Sequence, residues 1–241
     1  MDSAASLFAG WKKTMVWTCL QGHMGTVVTD GRTPPESALC AVGDFCFLAG
    51  KPDPELARQA DRPILIPRTP DWEPVLRSVF GEKASPFPRY AMEGPEAFDR
   101  ERLAAYAAAL PEGYALSPIL PQHYPVLMGQ AWSKDLCGNF RDGDDFVRRG
   151  LGVIALQDGI PVAGASSYTI YGGGGEIEID TRPDQRRKGL ALSCGARLIL
   201  DCLDRGLVPS WDAHNLPSVA LAEKLGYRLR APYQAYLLNL Y

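Results

Sequence analysis

The chain has 241 residues, a net charge of −3 and a hydrophobic fraction of 46%. This length admits one large domain or two small ones with a sizeable core, and the charge argues against a nucleic-acid binder, which is as a rule basic. No apolar run reaches membrane-spanning length, the N-terminus lacks a secretory pattern, and neither the 6 cysteines nor the 3 histidines have metal or disulfide spacing, which predicts a reduced, cytoplasmic protein with no metal and no membrane or nucleic-acid partner.

Residues 1–112 read as a separate α/β unit. Met15 to Leu20 and Thr26 to Thr29 are expected strands. Ala38 to Ala49 predicts two short strands, or one bent one, around Gly43-Asp44. Lys51-Pro52-Asp53-Pro54 marks a turn into a helix beginning at Glu55. Ile64 to Ile66 is a short buried strand. Asp71 is placed to cap a helix from Trp72 to Phe80. Phe98 to Leu110 reads as an Ala-rich helix stopped by Pro111-Glu112-Gly113. No catalytic string stands out in this half.

Residues 113–241 have a different pattern. Ala115 to Leu120 predicts a strand, and Gln122 to Trp132 and Asp142 to Arg149 predict helices. Leu151 to Gln157 and Ile160 to Tyr171 predict two strands joined by Asp158-Gly159, a hairpin signal. In Glu176 to Thr181, Glu176, Glu178 and Asp180 alternate with Ile177 and Ile179, the period of a half-buried strand. The helix predicted from Lys188 to Arg205 carries Leu190, Cys194, Leu198, Ile199 and Cys202 on one face, and Gly206 ends it. Val208 to Ala213 predicts a strand, Ser218 to Leu225 a helix closed by Gly226, and Tyr227 to Tyr241 one bent strand or two.

Between the acidic strand and the long helix lies Arg186-Arg187-Lys188-Gly189-Leu190-Ala191. The first amides of a helix have no intrahelical partner, and the helix dipole favours an anion there. Cations clustered at that end oppose the dipole. A phosphate held by the turn explains them better than a merely solvated basic turn does.

Three features taken together resemble the GNAT superfamily of acyl-CoA-dependent acetyltransferases. They are the Arg186–Ala191 string, which fits Q/R-x-x-G-x-G/A, the strand Glu176–Thr181 before it, and Trp211–Tyr227, WDAHNLPSVALAEKLGY, as the next strand, Asn turn and final helix. The resemblance covers roughly residues 114–241 and looks nearest to a bacterial branch with an additional N-terminal domain. It implies an α/β (α+β) chain: a C-terminal GNAT fold with a mixed, splayed central sheet flanked by helices, plus a smaller N-terminal α/β domain.

The implied partners are acetyl-CoA, as cosubstrate, and an amine-bearing acceptor. The implied cofactor-binding groups are Arg186, Arg187, Lys188, Gly189, Leu190 and Ala191 for the pyrophosphate, with Gly189 allowing close approach. Backbone groups of Ile179 and Thr181 would meet the pantetheine, and one amide would also face the thioester oxyanion. Asn215 is either a pantetheine ligand or a helix N-cap. Glu176, then Glu178, are the candidate bases for an amine that must lose a proton before attack. Repulsion among Glu176, Glu178 and Asp180 is expected to raise at least one of their pKa values. The alternative for each is a solvent-facing acidic stripe. Many family members carry a Tyr four residues before the Gly of the final helix as acid for the thiolate; here Ala222 stands there. Tyr168, Tyr171 and Tyr233 are the candidate substitutes, and Tyr227 is expected in the core. The missing Tyr keeps a second reading in play, a non-catalytic acyl-CoA-binding or regulatory module.

Overall fold

Residues 3–239 are described by a computed structural model, in which the chain divides into two units. One runs to Arg89 and resumes at Pro232; the other is Tyr90–Ala231. The division read from sequence, at 112/113, therefore falls inside the second unit. The helix just before it packs on the long helix of that unit, and the C-terminal strand joins the first unit.

The first unit begins with helix α1 (Thr14–Leu20) and strands β1 (Thr26–Thr29), β2 (Ser37–Val42) and β3 (Phe45–Gly50). The strand expected at Met15–Leu20 is corrected to α1. Its buried residues, Met15, Val16, Thr18 and Cys19, follow helical rather than alternating spacing. Every residue of β2 is buried, which is why its apolar run is continuous. Next come α2 (Pro54–Ala57), β4 (Ile64–Pro67) and α3 (Glu73–Phe80). Asp53 caps α2 by accepting from the amides of Glu55 and Leu56. Asp71, expected as the cap of α3, instead lies within a 3-10 turn, Pro70–Trp72. Trp72, Leu39, Leu48, Leu65, Leu76 and Tyr236 share one core.

Strand β5 (Ala84–Glu93) is absent from the sequence reading, because Pro86 and Pro88 read as breakers. Helix α4 (Arg100–Ala108) is capped by Asp99, which accepts from the amide of Arg102. In the second unit β6 (Tyr114–Pro118), α5 (Tyr124–Met128), α6 (Gly143–Arg149), β7 (Gly152–Gln157), β8 (Ile160–Tyr171), β9 (Gly174–Thr181), α7 (Leu190–Asp204), β10 (Val208–Ser210), β11 (Asp212–Ala213) and α8 (Leu216–Leu225) follow, and β12 (Arg228–Leu238) closes the chain. The helix expected from Gln122 to Trp132 is shorter, being a 3-10 turn at Pro121–His123 and then α5. The Asp158-Gly159 turn has φ values of 51° and 78°, the left-handed pair that a two-residue hairpin demands.

The five-stranded sheet has the order β10-β9-β8-β7-β6. It is mixed: β9 and β10 are parallel, the other pairs antiparallel. Helix α7 lies on one face, with Leu190, Cys194, Leu198 and Cys202 packed among Val153, Ala155, Val162 and Ala165. Leu103 of α4 joins Ala196 and Ile199 of α7 in a second core with Trp211, Leu225 and Tyr227. Leu198 is 1% exposed. Leu198→Ala is expected to cost about 2–5 kcal/mol, read as a lowered urea midpoint at unchanged slope.

Candidate functional site

The rung Ser210↔Glu176 is the last that β10 shares with β9. Trp211 follows, and Asp212 and Ala213 pair with Ala91 and Tyr90 of β5 instead. From Ile177 to Thr181, β9 keeps β8 on one side and has no strand on the other among the described residues. A bulge in β8 between Ser167 and Thr169 lies near that same rung; bulges re-aim strands. The sheet is thus open on one side of β9 from Glu176 onward.

The edge leads to the start of α7. Arg186, Arg187, Lys188 and Gly189 are exposed, and Leu190 is buried beneath them. Arg187 has φ 62° and Gly189 φ 85°. Two left-handed residues around Lys188 turn successive amides outward, the geometry that makes an anion-binding concavity, and the orphan amides of α7 add to it. A Cβ built on Gly189 meets nothing within 4 Å, so space lies above the turn and only the backbone conformation calls for glycine.

The basic side chains are not all loose. Lys188 Nζ donates to Gln185 Oε1 at 2.7 Å and to the Tyr114 hydroxyl at 3.1 Å, and Tyr114 OH donates to the same Gln185 oxygen at 2.6 Å. Gln185 is 6% exposed and anchors this group to β7 through Gln157. Arg186 Nε reaches the Thr181 carbonyl at 3.4 Å. Tyr114 and Gln185 escaped the sequence reading. Gln185 sits beside the basic string, but Tyr114 lies 71 residues from Gln185 with no local signal.

On β9 the alternation is real. Ile177 and Ile179 pack toward α7, so Glu176, Glu178 and Asp180 share the opposite face. Glu176 is 6% exposed, and Glu178 and Asp180 are half-buried. The Asp180 carboxyl is pushed above its ordinary range. Burial is the main cause; the Thr181 amide and Arg186 pull it down, and Asp135 adds to the rise. Thr181 N–H donates to Asp180 Oδ1 at 3.0 Å, so this backbone group, expected to meet a pantetheine, is engaged by the neighbouring carboxylate.

Asn215 is the N-cap of α8, its Oδ1 accepting from the Ser218 amide at 2.9 Å. Ser218 Oγ in turn accepts from Trp211 Nε1 at 3.2 Å. Asn215→Ala is expected to destabilise the fold by about 1 kcal/mol, with Asp largely restoring it; thermal melts of the two variants check this. Ala222 is fully buried in α8. Tyr227 is buried, donates to the Pro209 carbonyl at 2.8 Å and packs its ring at a tilt against Trp211, as a core residue. Of the other tyrosines, Tyr171 OH and Ser210 Oγ are 3.1 Å apart, and burial pushes the Tyr171 phenol up. Tyr168 is buried. Tyr233 belongs to the first unit, where Lys13 Nζ lies 3.5 Å from its ring centre.

No group of three or more His, Cys, Asp or Glu with metal-binding placement occurs among the described residues, and no helix among them is long and apolar enough to cross a membrane. All 6 cysteines are buried and free. For coenzyme A the residues fit: an open glycine turn at positive φ, outward amides, exposed cations and an unpaired strand edge leading from them.

Comparison with known proteins agrees with this geometry. A model of the GNAT acetyltransferase family matches residues 5–236. A crystal structure of a GCN5-related N-acetyltransferase-like protein from Streptococcus suis is 44% identical, with a TM-score of 0.94, over 98% of this chain and 97% of that one. The uncharacterised N-acetyltransferase YdfB of Bacillus subtilis is 26% identical over 195 residues, 79% of this chain and 71% of its own. A GCN5-related N-acetyltransferase from Kribbella flavida, 17% identical over 92% of this chain and 91% of that one, has a TM-score of 0.55 and supports the fold alone. With the open sheet edge, the glycine turn and a family match across nearly its whole length, the chain belongs to the GNAT acetyltransferase family.

Proposed function

We infer that the protein transfers an acetyl group from acetyl-CoA to a primary amine, by direct attack of the amine on the thioester. The observation that carries this reading is the opening of the sheet at the Ser210–Glu176 rung, continuous with the exposed turn at Gly189. Acetyl-CoA supplies the activated acetyl group. Amides of Arg187 to Ala191 would hold its pyrophosphate, with Arg186, Arg187 and Lys188 adding charge. The open edge at Ile179, and at Thr181 once its amide is released from Asp180, would pair with the pantetheine as an added strand. Asn215, with Oδ1 committed to its cap, has its Nδ2 to offer.

Glu176 is the proposed base. It stands where the sheet opens, and a nearly buried carboxylate there meets an incoming amine with little competing water. Glu178, one step along the same face, is the second choice. The thiolate then departs without a side-chain acid at the usual place, since Ala222 has no proton to give. A phenol that burial has made less acidic, Tyr171, is a poor substitute. We also read the chain as a two-domain member of the family, the first unit being the additional domain.

Calorimetric titration of acetyl-CoA, paired with steady-state thiol release over a panel of amines and acyl lengths, tests the reading. Binding with turnover on an amine, and a clear preference for acetyl, is the expected result. Tight binding with no turnover on any acceptor would instead assign a non-catalytic acyl-CoA module, the reading that Ala222 favours.

A further inference from the structure

The partners of the buried Gln185 fix which way its amide faces. Asp184, the carboxylate next to it, is gripped by Arg182 through Nε at 2.7 Å and Nη2 at 3.0 Å. An ionised carboxylate only accepts. The Gln185 atom 3.1 Å from Asp184 Oδ2 is therefore Nε2, which also donates to Gln157 Oε1 at 3.1 Å. Gln185 Oε1 is thereby turned to the other side, where it meets the Tyr114 hydroxyl and Lys188 Nζ. Tyr114, the first residue of β6, and Gln157, the last of β7, are cross-strand partners, so two strands at the end of the sheet hold this amide.

Lys188 is held differently from an ordinary surface lysine. Its ammonium has three N–H donors, of which two go to neutral oxygens, Gln185 Oε1 and Tyr114 OH. The third has no partner among the described residues. Asp184, the nearest acidic residue in sequence, is committed to Arg182, and Lys188 has no ion pair among the described residues. The position of the ammonium is thus set while its charge stays uncancelled. A long side chain already ordered in this way loses less freedom when an anion arrives.

We propose that Tyr114 and Gln185 are positioning residues for acetyl-CoA: together they hold the Lys188 ammonium so that its remaining N–H meets a phosphate of the cosubstrate. This rests on the acetyl-transfer reading above, in which acetyl-CoA is the donor. Acetyl-CoA carries phosphate in two places, the diphosphate bridge and the ribose 3′-phosphate, and an ammonium serves either. A phenol and a carboxamide suit the task because both are neutral acceptors. A carboxylate in either place would pair with Lys188 and weaken its pull on the ligand.

The test is calorimetric binding to the full chain, which needs no acceptor. The ligands are acetyl-CoA and acetyl-dephospho-CoA, which lacks the 3′-phosphate. Lys188→Met should raise the dissociation constant for acetyl-CoA by about ten-fold or more. Tyr114→Phe and Gln185→Met should each raise it by about three- to ten-fold. In the Lys188→Met background Tyr114→Phe should add less than about two-fold, since it acts only through the ammonium. A Lys188→Met loss seen with both ligands assigns the diphosphate, and one seen with acetyl-CoA alone assigns the 3′-phosphate. Full affinity in any of the three single variants overturns the inference. So does a Tyr114→Phe loss that is just as large when Lys188 is absent. Each of these results leaves acetyl-CoA binding by the wild-type chain standing. If the wild-type chain binds neither ligand, the acetyl-transfer reading falls and this inference falls with it.

Discussion

Replacing Gly189 by glutamate is expected to raise the dissociation constant for acetyl-CoA by about 100-fold or more while leaving the protein folded. Two effects combine. At φ 85° any side chain strains the backbone by about 1–3 kcal/mol, which loosens the turn that aims the amides. The space above the glycine is open, so the new carboxylate is not crushed against the protein. It projects instead into the volume assigned to the pyrophosphate and repels it. Gly189→Ala carries the strain without the charge and should fall between the two. Calorimetry measures the affinity, and a melting temperature within a few degrees of wild type shows that the fold has survived. Unchanged affinity in the glutamate variant would remove the turn from the site.

Glu176→Gln should act on a different step. The proton acceptor is lost, so kcat is expected to drop by about 100-fold or more, with acetyl-CoA affinity unchanged within about two-fold. The amide keeps the size of the side chain. The sign of the pH dependence follows from the substrate. A free amine is ordinarily protonated at neutral pH, so in the variant the rate should climb as pH rises and the amine deprotonates unaided. Glu178→Gln should lose less. If Glu176→Gln matched wild type across the pH range, the base would have to be Glu178 or solvent.

The order of strands and helices in the second unit could be read from the chain because its signals are local. Asp158-Gly159 fixes a hairpin, Gly206 and Gly226 stop helices, and Ile177 and Ile179 set the inward face of β9. The turn at Gly189 was visible for the same reason, since one glycine and three cations occupy adjacent positions. Features that depend on distant partners were not. Trp211 reads as the middle of one strand, yet it is where the strand changes neighbours from β9 to β5, and no local residue records that switch. Lys188 looks like a free cation until Tyr114, far away in sequence, meets it. Strand β5 was hidden by Pro86 and Pro88, and α1 by a β-branched run whose burial turned out to be helical. A boundary at 112/113 was read because α4 ends in a strong stop, while the packing of its apolar side on α7 is recorded by no local residue.

One consequence follows from β12, whose Tyr236 and Leu237 pair with Leu65 and Ile64 of β4. The first unit is built from two separate stretches, one up to Arg89 and one from Pro232 onward, with the whole second unit encoded in between. On the ribosome its opening segment must therefore wait, unfinished, until the stretch from Pro232 onward has been translated and has cleared the exit tunnel. A nonsense mutation just before Pro232 would accordingly leave the first unit incomplete while the second had been made in full.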